Sequence, residues 1–345
     1  MADNHSTIVN GGNTPDWIEL YNSDSGPVDI GGMSISDDPA VPRKFVFPRG
    51  TIIEGRSTII IWCDNDAAAP GLHTGFALAA TGQRVTLYSA DTVPKQVDVV
   101  EFGLQLEDYT IGRVPDGTGT WQLCKPTPWQ PNKSQPLGSR AKLRINEWMP
   151  SPSAGDDWFE LYNADSLPVA LGGLSLTDDP AQPAKSVIPA LSFVLPYGFQ
   201  LFWADQKPYL GANHVNFKLS AGGETIALYS GSTLLDRVDY GQQQTDVSMG
   251  RLPDGASRIV SFTRTASPGA SNYLPLTNVA INEVLAHTDF PFEDAVELVN
   301  LTPNAIDISG WYLSNSASQP MKYRIPNGTV LPANGYLVIY EYQFN

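Results

Sequence analysis

Three glutamates, Glu19, Glu160 and Glu297, stand at the same place in three similar stretches: PDWIELYN (15–22), DDWFELYN (156–163) and EDAVELVN (293–300). A repeated carboxylate suggests acid–base chemistry, which needs a second carboxylate at working distance. The candidates are SDDP (Asp37, Asp38) and TDDP (Asp178, Asp179); the third copy carries Asn315-Ser316 there. Both pairs lie in turn sequences, where a strand Glu with a turn Asp more often satisfies backbone donors than does chemistry. Acidic turns could also hold Ca²⁺, which takes many oxygen ligands, but no DxDxDG spacing occurs.

The other chemical residue types are equally sparse. His73 (GLHTGFAL) and His214 (NHVNFKL) are equivalents, one per copy, with no second His or Cys at ligand spacing. They are expected to make structural hydrogen bonds rather than bind a metal. His5 and His287 read as loop residues without partners. No GxSxG occurs, and no Cys lies beside a His in a nucleophile motif. SAGGE (220–224) leads from strand to strand, so it is expected as a hairpin turn and not a phosphate cradle. PDG at 115–117 and 253–255 is a turn signal. Cys63 and Cys124 are too few for a disulfide framework; they read as small buried hydrophobes, with one bridge inside the first repeat left open. Trp17, Trp62, Trp158 and Trp203 recur and are expected in the cores. Trp121, Trp129 and Trp148 have no Trp equivalent in the other complete copy, and two of them exposed together would stack on a sugar or a partner. No catalytic, cofactor-binding or metal-ligating residue is assigned.

The elements that carry these residues repeat at domain length. Trp17 and Trp158, Asp37 and Asp178, Trp62 and Trp203, and His73 and His214 each stand 141 positions apart. After a three-residue slip, Gly112-Arg113 matches Gly250-Arg251 and the two PDG turns match, 138 apart. In the third copy Glu297, Gly310 and Tyr340 follow Glu160, Gly173 and Trp203 by 137. Such a period is longer than solenoid units and marks tandem domains: residues 1–130, 143–273 and 279–345. Within each, short β-rich runs such as WFELYN, GFQLFWAD and ETIALYS are bounded by Gly, Pro, Asp and Ser. Thirty Gly and 28 Pro and the absence of sustained helical periodicity point to an all-β fold with minor helix. In DWIELYN, taken as the second strand, the Trp and Leu are expected to face inward and the Glu and Asn to pair with backbone. The joins at 125–142 and 265–278 are Pro- and Ser-rich and read as short semi-rigid linkers.

Across the second copy the order INEWM, DDWFELYN, LGGLSLTDDP, GFQLFWAD, HVNFKLSAGGETIALY, VDYG, SMGRLPDG resembles the bacterial lamin tail domain. Nearly all of the first copy and the first half of the third share it. The resemblance implies tandem immunoglobulin-like β-sandwiches, no activity of their own, an interaction or scaffolding role, and a setting in large secreted or cell-surface bacterial proteins. The third copy is expected to be incomplete, with an exposed β surface prone to association. The first has no LRINEWMP or VAINEVLA equivalent: Met1 aligns with Met149, which leaves an unpaired strand edge expected in the first sandwich. No leader with a basic segment and an apolar core is visible in MADNHSTIVN, and an upstream extension is expected.

Thirty-six acidic against 21 basic residues give a net charge of −15, which argues against nucleic acid as partner and against adhesion to anionic lipid. No apolar run approaches bilayer length. The expected function is therefore a non-catalytic structural or interaction module for docking, spacing or adhesion, with protein or surface polysaccharide as partner and no cofactor. The alternatives are a carbohydrate-binding array, or an accessory region of a hydrolase, nuclease or kinase-like enzyme whose catalytic domain lies elsewhere.

Overall fold

In the second repeat the letters DWFELYN form the strand Asp157–Asn163, paired on one edge with Leu143–Met149 and on the other with Phe199–Ala204. The computed structural model describes residues 1–66, 68–289, 291–316, 319 and 321–344; residues 67, 290, 317, 318, 320 and 345 lie outside it. His214–Val215, Ser248–Arg251 and Ile259–Phe262 complete a six-stranded sheet. Opposite it lies a four-stranded sheet of Ser186–Val187, Leu174–Thr177, Glu224–Ser230 and Thr233–Tyr240. Phe159, Leu161 and Phe202 from the first sheet interlock with Leu176, Ile226 and Leu228 from the second, all fully buried. Each such side chain contributes about 1.5–3 kcal/mol of burial, so this is an all-β sandwich closed by a continuous apolar layer.

Strand periodicity corrects one expectation. Residues three apart on a strand point to opposite faces. The inward face is therefore Phe159 and Leu161, or Ile18 and Leu20 in the first repeat. Trp17 packs with Trp62, Ile60 and Met1 in a separate cluster. The tryptophan and the leucine of the motif are both sheltered, on different sides of the sheet. The motif asparagines do hold backbone: Asn163 Nδ2 donates to Leu167 O and Leu195 O, both at 2.9 Å.

The first repeat follows this plan, but its larger sheet is split. Its Asp16–Tyr21 strand pairs with Thr58–Cys63, and Thr110–Val114 pairs with Thr120–Lys125, but these belong to separate sheets. In the second repeat Leu143–Met149 joins the equivalent strands. Met1 stands where Met149 does: Met1 and Trp17 exchange backbone hydrogen bonds, as Met149 is registered with Trp158.

The Pro-rich joins are more than spacers. Lys133–Ser134 adds a third strand to the Thr110–Lys125 hairpin. Arg140 then donates to the carbonyls of Ala170 and Gly172 at 2.9 and 2.7 Å. The first two repeats are themselves interlocked, within one unit spanning Met1–Tyr273. Gly103 N donates to Ala190 O and Phe193 N to Leu104 O, both at 2.9 Å. Leu104 N reaches Ser192 Oγ at 3.0 Å, and Leu106, Leu123 and Phe193 share one apolar cluster. Buried backbone groups paired in this way resist relative motion.

SAGGE also departs from expectation. The strand before it, His214–Val215, lies in the six-stranded sheet and the strand after it in the four-stranded one, so the segment crosses between layers rather than turning a hairpin. Leu274–Asn345 is a second unit. It has a three-stranded sheet of Val279–Leu285, Ala295–Asn300 and Tyr336–Tyr340 over a small core of Leu298, Ile308, Ile325, Leu331 and Ile339. Ile281, Val284 and Leu285 are 61, 60 and 50% exposed.

Candidate functional site

The sequence INE carries a β-bulge. In the second repeat Ile145 pairs with Leu161 and Glu147 with Glu160, so Asn146 is the extra residue. A bulge re-aims side chains locally. Here it brings Asn146, Glu147 and Glu160 together, each with 0% exposure. Asn146 Nδ2 donates to Glu160 Oε1 at 2.9 Å and to Asp254 Oδ1 at 3.0 Å, and its Oδ1 accepts from Gly255 N at 2.9 Å. The join at 265–278 covers the pair: Ser267 N and Oγ donate to Glu147 Oε2, both at 3.1 Å, and Gly269 N donates to Glu160 Oε2 at 2.8 Å. Ser248 Oγ also donates to Glu147.

Burial pushes the Glu160 carboxyl up to about 8 from an ordinary 4.5; the Glu147 and Asp254 charges add to the rise, and the Asn146 and Gly269 donors oppose it. Burial likewise raises Glu147, against donors from Ser248 and Ser267. Paired carboxylates with raised values resemble an acid–base site. With no exposure of either group, however, a substrate has no path to them, and the pair serves as a polar seam of the sandwich.

The same seam occurs in two other states. In the first repeat Trp129 N covers Glu19 Oε1 at 2.7 Å, as Gly269 covers Glu160, and burial raises Glu19. In the third, Asn282 Nδ2 donates to Glu297 Oε1 at 2.7 Å and Glu283 faces Glu297, with Asn282 and Glu283 exposed. The carboxylate opposite Glu160 is thus Glu147, not the DDP aspartates. The signal was present: INE immediately precedes the motif strand, and a hairpin between them sets the two glutamates face to face.

The DDP turns do other work. Asp37 and Asp178 each accept from a lysine, Lys44 and Lys185, at 2.6 Å, and Asn315 accepts from Lys322 at 2.7 Å. Asp38 and Asp179 accept backbone donors two residues on. His73 and His214 make the structural contacts expected of them, to Asp64 at 2.5 Å and Asp205 at 2.8 Å. His5, expected to be alone, lies 3.1 Å from Asp3 and 3.6 Å from Glu107. Among the described residues no group of three His, Cys, Asp or Glu could hold a metal ion. Cys63 and Cys124 are both buried and free, with no bridge between them. Of the three unmatched tryptophans, Trp148 is in the core at 0% exposure, Trp121 is half-buried under the Arg113 guanidinium at 4.6 Å, and Trp129 is 55% exposed. Trp148 can take no part in an exposed pair, because it packs in the core beside Tyr240, ring centroids 6.0 Å apart.

Repeats built nearly all of strands, with almost no helix, define a tandem immunoglobulin-like β-sandwich protein. The lamin tail domain family model matches residues 5–103, 137–242 and 275–344, and the chain belongs to that family. The family is a non-enzymatic immunoglobulin-like domain. No curated protein and no solved structure matches the chain.

Proposed function

We propose that the chain is a non-catalytic structural and interaction module that spaces and docks protein partners in a bacterial secreted or cell-surface setting. The observation that carries this is the interlock of the first two repeats, in which main-chain hydrogen bonds at Gly103, Leu104 and Phe193 fuse two sandwiches into one unit. A rigid spacer needs that fusion; a flexible string of binding domains does not. The net charge of −15 supports a protein rather than a phosphate-rich partner. Protein is favoured over polysaccharide because, of the three candidate stacking tryptophans, only Trp129 is largely exposed.

Fluorophores at Ser25→Cys and Ser232→Cys, exposed positions in the first and second repeats, test the spacer. A narrow distance distribution is expected, and a broad one contradicts the reading. Turnover of glycoside, ester, phosphodiester or peptide substrates by the purified chain would equally contradict it.

A further inference from the structure

The join at 265–278 grips more than the Glu147–Glu160 pair. Its stretch Ser267–Asn272 fastens to three acidic side chains grouped around Asn146. Ser267 N and Oγ reach Glu147, and Gly269 N reaches Glu160. Ser271 Oγ donates to Asp254 Oδ2, and Asn272 N donates to Asp254 Oδ1 at 3.0 Å. Asn272 Nδ2 anchors the far end on Arg251 O at 3.0 Å. Between these contacts Pro268, Gly269, Ala270 and Ser271 are exposed, and none of the stretch enters the apolar core of the second repeat. It is a strap held by polar contacts.

A proton belongs to this grip on two counts. Ser267 Oγ lies 3.1 Å from Glu147 Oε2 and 3.0 Å from Asn272 Oδ1, while Asn272 Nδ2 is turned the other way, to Asn146 O and Arg251 O. A hydroxyl has one proton to give. It serves one of the two acceptors, and a proton shared by the carboxylate pair serves the other contact. The second count is the lack of a cation. Among the described residues none of Glu147, Glu160 and Asp254 makes an ion pair, and Arg251, on the neighbouring strand, is engaged by Asp236. Asp254 acts on both glutamates, Tyr162 on the Glu160 strand faces Asp254, and Phe199–Ala204 sets Leu201 beside Glu160. The strap carries no charged side chain from Thr265 to Asn272. Two buried carboxylates with no cation do not both stay ionised.

We propose that the strap Ser267–Asn272 is a proton-operated latch, closed while the carboxylate pair shares a proton and released when both acids ionise. It leads through Tyr273 into the Leu274–Asn345 unit, whose residues 274–277 are exposed. Each strap residue set free therefore adds roughly 3.4 Å of reach to the tether. The inference rests on the reading of the chain as a spacer and adds how the length of that spacer is regulated.

The direction follows from which form keeps the proton. Burial in the closed form raises both carboxyls above 4.5, Glu160 to about 8, and opening returns them to water. Across that window opening releases one proton, so the opening constant climbs by up to about tenfold per pH unit and levels off above it.

The test is amide hydrogen exchange of the full chain from pH 5 to pH 9, with the intrinsic base-catalysed rate divided out. Gly269 and Asn272 should open at least about a hundredfold more often than the amides of Asp157–Asn163. Their opening constants should climb from pH 5 to pH 8 and then flatten. Glu147→Gln and Glu160→Gln each leave one acid with its donors and should remove most of the climb. Glu224→Gln, at a carboxyl of the second repeat that burial also raises, should retain it. If a glutamine variant does not fold, the profile of the native strap decides alone. A flat profile, strap amides that open only together with Asp157–Asn163, or a climb that persists in both seam variants would overturn the proposal. A chain with a flat profile that still shows the narrow distance distribution keeps its role as a spacer, so the two readings fail separately.

Discussion

Glu147 and Glu160 face each other across two neighbouring strands of the second repeat, both without solvent exposure, and are held by Ser248, Ser267, Asn146 and Gly269. Two carboxylates in so little water favour the protonated form. Folding therefore raises the affinity of Glu160 for its proton, from 4.5 to about 8.

The sign of the pH effect follows. Between these two values the folded protein keeps a proton that the unfolded chain has released, so stability declines as pH rises through the window. Glu160→Gln, which imitates the protonated acid, should gain on the native protein from pH 5 to pH 8. Denaturation midpoints of the two proteins that stay parallel across that range would contradict this.

Asn146 makes three side-chain hydrogen bonds at 0% exposure. Asn146→Ala should cost about 2–4 kcal/mol in the unfolding of the Met1–Tyr273 unit. The equivalent Asn282→Ala, at an exposed position, should cost less than about 0.5 kcal/mol. Urea titrations of both variants measure the contrast.

A Cβ added at Gly103 would lie 2.0 Å from Ser192 Oγ and 3.2 Å from Pro189 Cβ. Rotation of the Ser192 hydroxyl is no escape without loss, because it already bridges Leu104 N and Pro189 O. Gly103→Val should part the first two repeats while leaving each sandwich folded. Calorimetry is expected to show one transition for this unit in the native protein and two in the variant, and the label distance distribution to broaden in the variant.

Burial pushes the Cys63 thiol up to about 12 and raises Cys124. Since the thiolate is the reactive form, both should resist a thiol reagent in the native protein and react once it is denatured, without a reductant. Thiols appearing only after reduction would show a bridge instead.

Much of this fold was legible because period-two patterning and turn residues repeat over domain length: the three copies, the strands and the turn role of the DDP pairs follow from the letters. What was not legible depends on register and on closure. The bulge at Asn146 sets Glu147 opposite Glu160, and only a paired strand reveals that. Trp17 was assigned inward with Leu20 although their spacing places them on opposite faces. The joins looked like spacers because proline composition is local, whereas their backbone donors at Trp129 and Gly269 reach carboxylates more than 100 residues away in sequence.

Amide hydrogen exchange of two strands with nearly the same letters tests the account most directly. Asp157–Asn163 is paired along both edges, while Asp16–Tyr21 is laddered to Thr58–Cys63 and meets on its other edge, among the described residues, Met1 at Trp17. Strong protection across Asp157–Asn163, with faster exchange at Glu19 and Tyr21, beyond the Met1–Trp17 pair, is the predicted result. Equal protection of the two strands in a monomer, or fast exchange in both, would contradict it.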